Sequence, residues 1–308
     1  MIHDFHHLLE YAKKVAPKKV LVIYPSNEET FGAIRDALDA LAVKFVLVGE
    51  EKIIRGGFNE SQLNRMKIVH SPGIPESLKT SIKLVRDGEV DILMKGGVDT
   101  STMMKAVLRE ESGLRVGRLL TDIFVLEFSR NNEHRFVMIT DGGMTLAPDL
   151  PNKVELIRNA VEVAHALGNE NPKVAVLSAT EFVLPNLPST LDAAALSKMN
   201  ERGQIKGCIV DGPFALDNAI SPEAAAEKGI KSPVAGHADI LLAANIESAN
   251  SLAKSTTYFA NLPLAHVIVG GKVPVLIPSR ADKKDAKLLS IALGVIMSEW
   301  GTKNPSLV

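Results

Sequence analysis

Lys18-Lys19-Val20-Leu21-Val22-Ile23-Tyr24-Pro25-Ser26-Asn27 is a short apolar run closed by a turn, and Glu28 to Ala40 carries helical spacing directly after it. The run is too short and too rich in β-branched residues for a helix, so it reads as a buried strand that feeds a helix. The same unit recurs along the chain. Phe45 to Val48 and Met66 to His70 read as strands, and Pro75 to Asp87 as a helix ended by Gly88. Glu89 to Met94 reads as a fourth strand, stopping at Lys95-Gly96-Gly97. Strands alternating with helices imply parallel crossover units in an α/β/α sandwich.

The pattern changes between Leu119 and Ile139. Ile123 to Phe128 and Phe136 to Ile139 flank the polar Ser129-Arg130-Asn131-Asn132-Glu133, which predicts a hairpin and a domain edge. Beyond Asp141-Gly142-Gly143 the alternation resumes, with helices at Lys153 to Leu167, Leu191 to Met199 and Ser248 to Phe259. Strands are expected at Val174 to Leu177, Gly207 to Val210, Asp239 to Ala243 and Ala265 to Val269. Val273 to Ile277 then forms a last strand, stopped by Pro278, and a helix runs on from Asp282.

At 308 residues the chain exceeds what one core usually holds, which favours two domains. Hydrophobic residues make up 46% and aromatic residues 5%, an aliphatic composition suited to helices packed on parallel sheets. The formal net charge of -1 supplies no basic field for nucleic acid or for an anionic membrane. Cys208 is the one cysteine, which excludes an internal disulfide framework and a cysteine-rich zinc site and fits a reducing, cytoplasmic setting. Met1-Ile2-His3-Asp4-Phe5 lacks the basic and apolar regions of a signal peptide, and no apolar run reaches the roughly 18 residues of a membrane span.

In open α/β sheets ligands gather at the carboxyl ends of strands, so the residues that follow each strand carry the chemistry. Lys95, Gly96, Gly97, Thr100 and Ser101 offer close backbone approach, hydroxyls and a cation, with Lys105 further along the next helix. They form a candidate phosphate cradle, although neither the Walker A nor the dinucleotide G-x-G-x-x-G spacing is present. A tight turn capped by Asp99 or Thr100 accounts for the same residues. Asp211-Gly212-Pro213 follows another strand, and a carboxylate there could position a base or bind a ribose; Asp217 reads as a helix cap. Asp141-Gly142-Gly143 could hinge two domains or line a cleft. Ser279 and Arg280 stand on a strand-to-helix turn, where free amides and a guanidinium suit an anion, while an ordinary turn capped by Asp282 explains them equally. The eight histidines show no metal-ligand spacing, Ser279 lacks a nucleophile elbow, and Cys208 reads as core inside an apolar strand.

Taken together, Met94-Lys95-Gly96-Gly97 with Thr100, Ile139-Thr140-Asp141-Gly142-Gly143-Met144, Asp192 to Met199, Gln204 to Ser221, and Ser279-Arg280-Ala281-Asp282 resemble the phosphate acetyl/butyryltransferase family, on its butyryltransferase side. The resemblance implies transfer of a short-chain acyl group, butyryl above acetyl, from acyl-CoA to inorganic phosphate. Coenzyme A and phosphate are then substrates, with no cofactor or metal. It also implies a homodimer and a two-domain fold like isocitrate and isopropylmalate dehydrogenases. Residues 1–142 and 270–308 would form the first domain and 143–269 the second, with the active site in the cleft between them.

By motif position Ser279 and Arg280 match the family's catalytic pair, with Asp282 or Asp211 handling the proton. Lys95, Gly96, Gly97, Thr100, Lys105, Asp141, Gly212 and Pro213 would bind phosphate or CoA. Lys105 stands where acetyltransferases carry an arginine, which keeps the charge and loses the planar fork. Ala286 stands where they carry an aspartate, with Asp285 one residue earlier, a step that turns a helical side chain by about 100 degrees. A non-catalytic acyl-CoA-binding relative is the competing reading.

Overall fold

The protein is described here by a computed structural model that covers residues 1–130, 133–278 and 284–304. In chain order the elements are α1 (Phe5–Ala12), β1 (Lys18–Ile23), α2 (Glu28–Ala40), β2 (Val43–Gly49), α3 (Glu51–Gly56), α4 (Glu60–Leu63), β3 (Met66–His70), α5 (Gly73–Arg86), β4 (Ile92–Lys95) and α6 (Thr100–Leu108). They continue with β5 (Thr121–Arg130), β6 (Glu133–Thr140), α7 (Leu150–Ala166), β7 (Lys173–Leu177), α8 (Pro188–Glu201), β8 (Ile209–Phe214), α9 (Leu216–Ile220) and α10 (Pro222–Glu227). The last are β9 (Ile240–Leu242), α11 (Ile246–Tyr258), β10 (Leu264–Val269), β11 (Val275–Leu276) and α12 (Lys284–Lys303).

Two compact units share these elements: a first made of Phe5–Leu120 and Ala265–Val308, and a second made of Met1–Asp4 and Thr121–Leu264. In the first unit the strand order is β3-β2-β1-β4-β11-β10, parallel except for the β10–β11 pair. β1 is buried on both faces, as its run of aliphatic residues requires. Asn27 starts α2 by accepting the Thr30 amide at 2.9 Å, and Gly88, at φ 73°, follows the end of α5. The last expected strand contracts to two residues. Pro274 has no amide to give, yet its carbonyl accepts from Leu93 N–H at 3.0 Å, which joins the segment to β4. α12 packs on β4 and β11 and against α1 and α2, while α5 packs against β1, β2 and α6.

In the second unit the order is β5-β6-β9-β7-β8, with the antiparallel β5–β6 hairpin leading a parallel set. Residues 121–142, expected with the first domain, group here because β6 takes β9 as its parallel neighbour. Leu126, Val137, Ile139, Phe214 and Leu241 form one apolar cluster with the alanines of α9, α10 and α11. α7 begins three residues before its apolar periodicity does, since Asp149 caps it through the Asn152 amide at 2.8 Å and Pro151 is tolerated in the first turn.

β8 also departs from expectation. It starts at Ile209, so Cys208 precedes the strand, and it continues through Asp211, Gly212 and Pro213 instead of turning there. As the outer strand of this order it can include a proline, because one of its edges needs no amide donors. Asp217 is not a cap either: α9 is capped at Ala215, and the Asp217 carboxylate lies 3.5 Å from Lys228 Nζ.

Candidate functional site

In the first unit the Lys95-Gly96-Gly97 corner is shaped by the end of β1. Gly96 N–H donates to Ile23 O at 3.0 Å and Gly97 N–H to Tyr24 O at 2.8 Å. A β-carbon on Gly96 would stand 2.4 Å from Ile23 O, and one on Gly97 would stand 2.0 Å from Ser26 Oγ. Glycine is therefore required by backbone packing at both positions. The two amides are spent on β1, so what this corner can offer a ligand is close approach and not these two N–H donors. Lys95 is buried at the last position of β4.

Asp99 caps α6, accepting from Thr102 N–H and from the Ser101 hydroxyl, both at 2.8 Å. Hydrogen bonds from the Thr102 side chain and backbone, and from Ser101, hold its carboxyl well below the usual range. Ser101 is thus engaged, while Thr100 is exposed beside it. Lys105 lies on the face of α6 that lines a cavity of about 780 Å³ with α5 and Arg109, a lining that includes Thr102 but none of Lys95, Gly96, Gly97 and Thr100.

In the second unit Asp141 is a buried hub. Its Oδ1 accepts amides from Gly143 and Met144 at 3.0 Å and from Asp122 at 3.2 Å, and its Oδ2 accepts from Thr145 at 2.9 Å. Burial pushes its carboxyl up to about 6; the Asp122 carboxylate adds to the rise, and the amides oppose it. The Asn250 side chain closes the turn from α11 by donating to Gly142 O at 2.9 Å. Asp141 therefore organises the 141–145 turn, with both its oxygens engaged by the backbone.

On β8 the Asp211 Oδ1 accepts the Ser197 hydroxyl at 3.0 Å and the Gly212 amide at 2.8 Å. A β-carbon on Gly212 would lie 2.8 Å from Val176 O, so glycine lets β8 close on β7, and the Gly212–Pro213 bond is cis. Asn200 was not singled out from sequence, yet it ties α8 to β8: its amide donates to Ile205 O and Cys208 O, and its oxygen accepts from Val210 N–H, each at 3.0 Å. Nothing local marks it, because all its partners lie beyond the helix that carries it. Cys208 is buried and its thiol is pushed up to about 11, which leaves it protonated and inert at neutral pH.

Ser279, Arg280 and Asp282 lie outside the described residues. Asp285 lies in the first turn of α12.

The whole arrangement has close counterparts. Residues 74–295 match the phosphate acetyl/butaryl transferase family. The phosphate butyryltransferase of Clostridium acetobutylicum is 40% identical over 300 residues, 97% of this chain and 99% of that one. The phosphate acetyltransferase of Thermotoga maritima is 44% identical over 283 residues, 91% of this chain and 95% of that one. Among solved structures, a branched-chain phosphotransacylase from Enterococcus faecalis is 30% identical with a TM-score of 0.81, covering 91% of this chain and 99% of its own. A protein assigned as a 4-hydroxythreonine-4-phosphate dehydrogenase from Salmonella typhimurium shares the fold alone, at 12% identity, a TM-score of 0.56, and coverage of 92% and 100%. The expected dehydrogenase-like α/β architecture is therefore the one found. With similarity running through nearly all of the sequence and through the fold as well, the chain belongs to the phosphate acetyl/butaryl transferase family.

Proposed function

We propose that the protein catalyses reversible transfer of a short acyl group between coenzyme A and inorganic phosphate. The observation that carries this reading is the similarity, at 40% and 44% identity over nearly the full chain, to a phosphate butyryltransferase and a phosphate acetyltransferase. A phosphate oxygen attacks the thioester carbonyl, a tetrahedral oxyanion forms, and the C–S bond breaks to release CoA thiolate, which takes up a proton. No covalent enzyme intermediate is required. Arg280 is assigned to phosphate and to the developing charge, and Ser279 to the oxyanion or the leaving sulfur. Asp282 or Asp211 handles the proton, since position 286 is alanine.

Butyryl is the acyl group favoured here over acetyl. The relatives carry both names at comparable identity, and each of the two methylenes that separate butyryl from acetyl is worth only about 1–3 kcal/mol of discrimination, so the acyl group is read by rate. The reading also entails a cytoplasmic homodimer. Among the described residues no helix is long and apolar enough to cross a membrane.

The test is phosphate-dependent thiol release from acetyl-, propionyl-, butyryl- and isobutyryl-CoA. Release that needs phosphate and is fastest with butyryl-CoA supports the reading. A folded protein that binds CoA and releases none from any thioester would favour the acyl-CoA-binding alternative. Light scattering behind gel filtration reads the dimer.

A further inference from the structure

β1, β2 and β3 run parallel in the first unit, so their first residues meet at one end of the sheet. Lys19 on β1 stands opposite Lys44 on β2, and Lys67 on β3 stands opposite Val46, two residues after Lys44. Residues two apart on a strand share a face, so the three lysines project from the same side of the sheet. With Arg65, Leu84 and Val90 they line a cavity of about 550 Å³. The Lys95-Gly96-Gly97 corner lies at the other end, where the strands finish, a strand's length of roughly 17 Å away for the six residues of β1.

Like charges directly opposite each other weaken a sheet, so Lys19 beside Lys44 needs a reason. Lys67 has one of its own: β3 is an outer strand, and a charged side chain there deters pairing with another chain. It also lies 3.7 Å from Glu89, the carboxylate of the lining. Arg65 is held 3.1 Å from Asp39 and donates to Leu38 O. Neither account reaches Lys19 and Lys44, which are exposed on inner strands. Among the described residues neither ammonium has a carboxylate partner. The Asp91 carboxylate accepts the backbone amide of Lys19 at 2.7 Å instead. The negative end of α5 does not cancel the field, because Leu84 O and Val85 O accept the amides of Glu89 and Gly88 at 3.0 and 3.1 Å.

The volume falls within the roughly 300–1,000 Å³ of small-molecule sites. Cations set out at the strand spacing suit a compact ligand whose two or three anionic groups stand about 5 Å apart. Phe45, the aromatic residue of the lining, is 1% exposed, so the cavity offers no ring on which a base could stack. That sets nucleotides aside.

We propose that the cavity where β1, β2 and β3 begin binds a small organic polyanion, with its charged groups on Lys19, Lys44 and Lys67. A polycarboxylate and a sugar bisphosphate share this chemistry. The proposal does not rest on the acyl-transfer reading, because binding is measured without turnover.

The experiment is calorimetric titration of the whole chain with citrate and, separately, with fructose 1,6-bisphosphate, repeated on Lys19→Gln and Lys44→Gln. Lys52→Gln, an exposed position on α3 outside the lining, is the control for general charge. Thermal melting checks that each variant is folded, and Lys67→Gln replaces one that is not. The expected result is binding by the wild type that weakens about fivefold or more in each cavity variant, is unchanged in Lys52→Gln, and falls with added salt. Citrate binding alone identifies a polycarboxylate, bisphosphate binding alone a phosphate ester, and binding of both shows that the shared charge pattern suffices. The proposal is overturned if neither probe binds the wild type, if either cavity variant binds as well as the wild type, or if Lys52→Gln weakens binding as much.

Discussion

Gly143 packs so closely against Asp122 that a β-carbon on it would stand 2.4 Å from Asp122 Oδ2 and 3.1 Å from Asp122 Cβ. Asp122 has little room to yield, since it is buried on β5 and its amide is bonded to Asp141 at 3.2 Å. Gly143→Ala should therefore strain the 141–145 turn, by about 1–3 kcal/mol as for other small-to-large changes in a packed interior. Urea unfolding at neutral pH reads this directly. A variant with the wild-type midpoint and slope would show that the turn can shift to admit a methyl group.

Asp141 gives stability a particular dependence on pH. Its carboxyl is raised to about 6 in the folded protein, against an ordinary value of 3.8. The folded chain therefore holds this proton more tightly than the unfolded chain does. The contribution to stability is present in full below pH 4 and is lost as pH rises through 6, amounting to roughly 3 kcal/mol at about 1.4 kcal/mol per unit. Asp141→Asn keeps one acceptor oxygen and removes the titration. Compared with wild type by urea unfolding from pH 4.5 to 7.5, the variant should gain stability relative to wild type as pH rises. A difference that stays constant across that range would mean Asp141 does not titrate there.

These two residues also mark how far the sequence could be read. Asp141-Gly142-Gly143 was recognisable as a glycine-rich corner, because glycines after an apolar run have a local meaning. Its construction was not, since the groups that enclose it, Asp122, Phe124 and Asn250, come from β5 and α11 and bear no fixed spacing to it. The same division holds elsewhere. Asn27 and Gly88 announced the start of α2 and the end of α5, as both act within a few residues of themselves. Gly212-Pro213 misled, since a turn and an outer strand both tolerate that pair, and only the strand order shows which applies. At the expected phosphate cradle Gly96 and Gly97 are obligatory for their approach to the end of β1, a contact across the sheet that no local spacing announces.

Ser279 and Arg280 carry the functional prediction, and kinetics can separate their roles. If Arg280 holds phosphate and the charge developing on it, Arg280→Ala should raise KM for phosphate and lower turnover, with kcat/KM falling on the order of a hundredfold or more. Arg280→Lys keeps the positive charge and loses the bidentate fork, so it should recover only part of that loss. If Ser279 donates to the oxyanion or the leaving sulfur, Ser279→Ala should lower kcat and leave KM for phosphate near its wild-type value, because that bond strengthens only as the tetrahedral state forms. The two signatures differ, so a shared structural effect would not reproduce them. Arg280→Ala with unchanged turnover and phosphate KM would remove Arg280 from the chemistry and leave phosphate to be held by other cations of the chain.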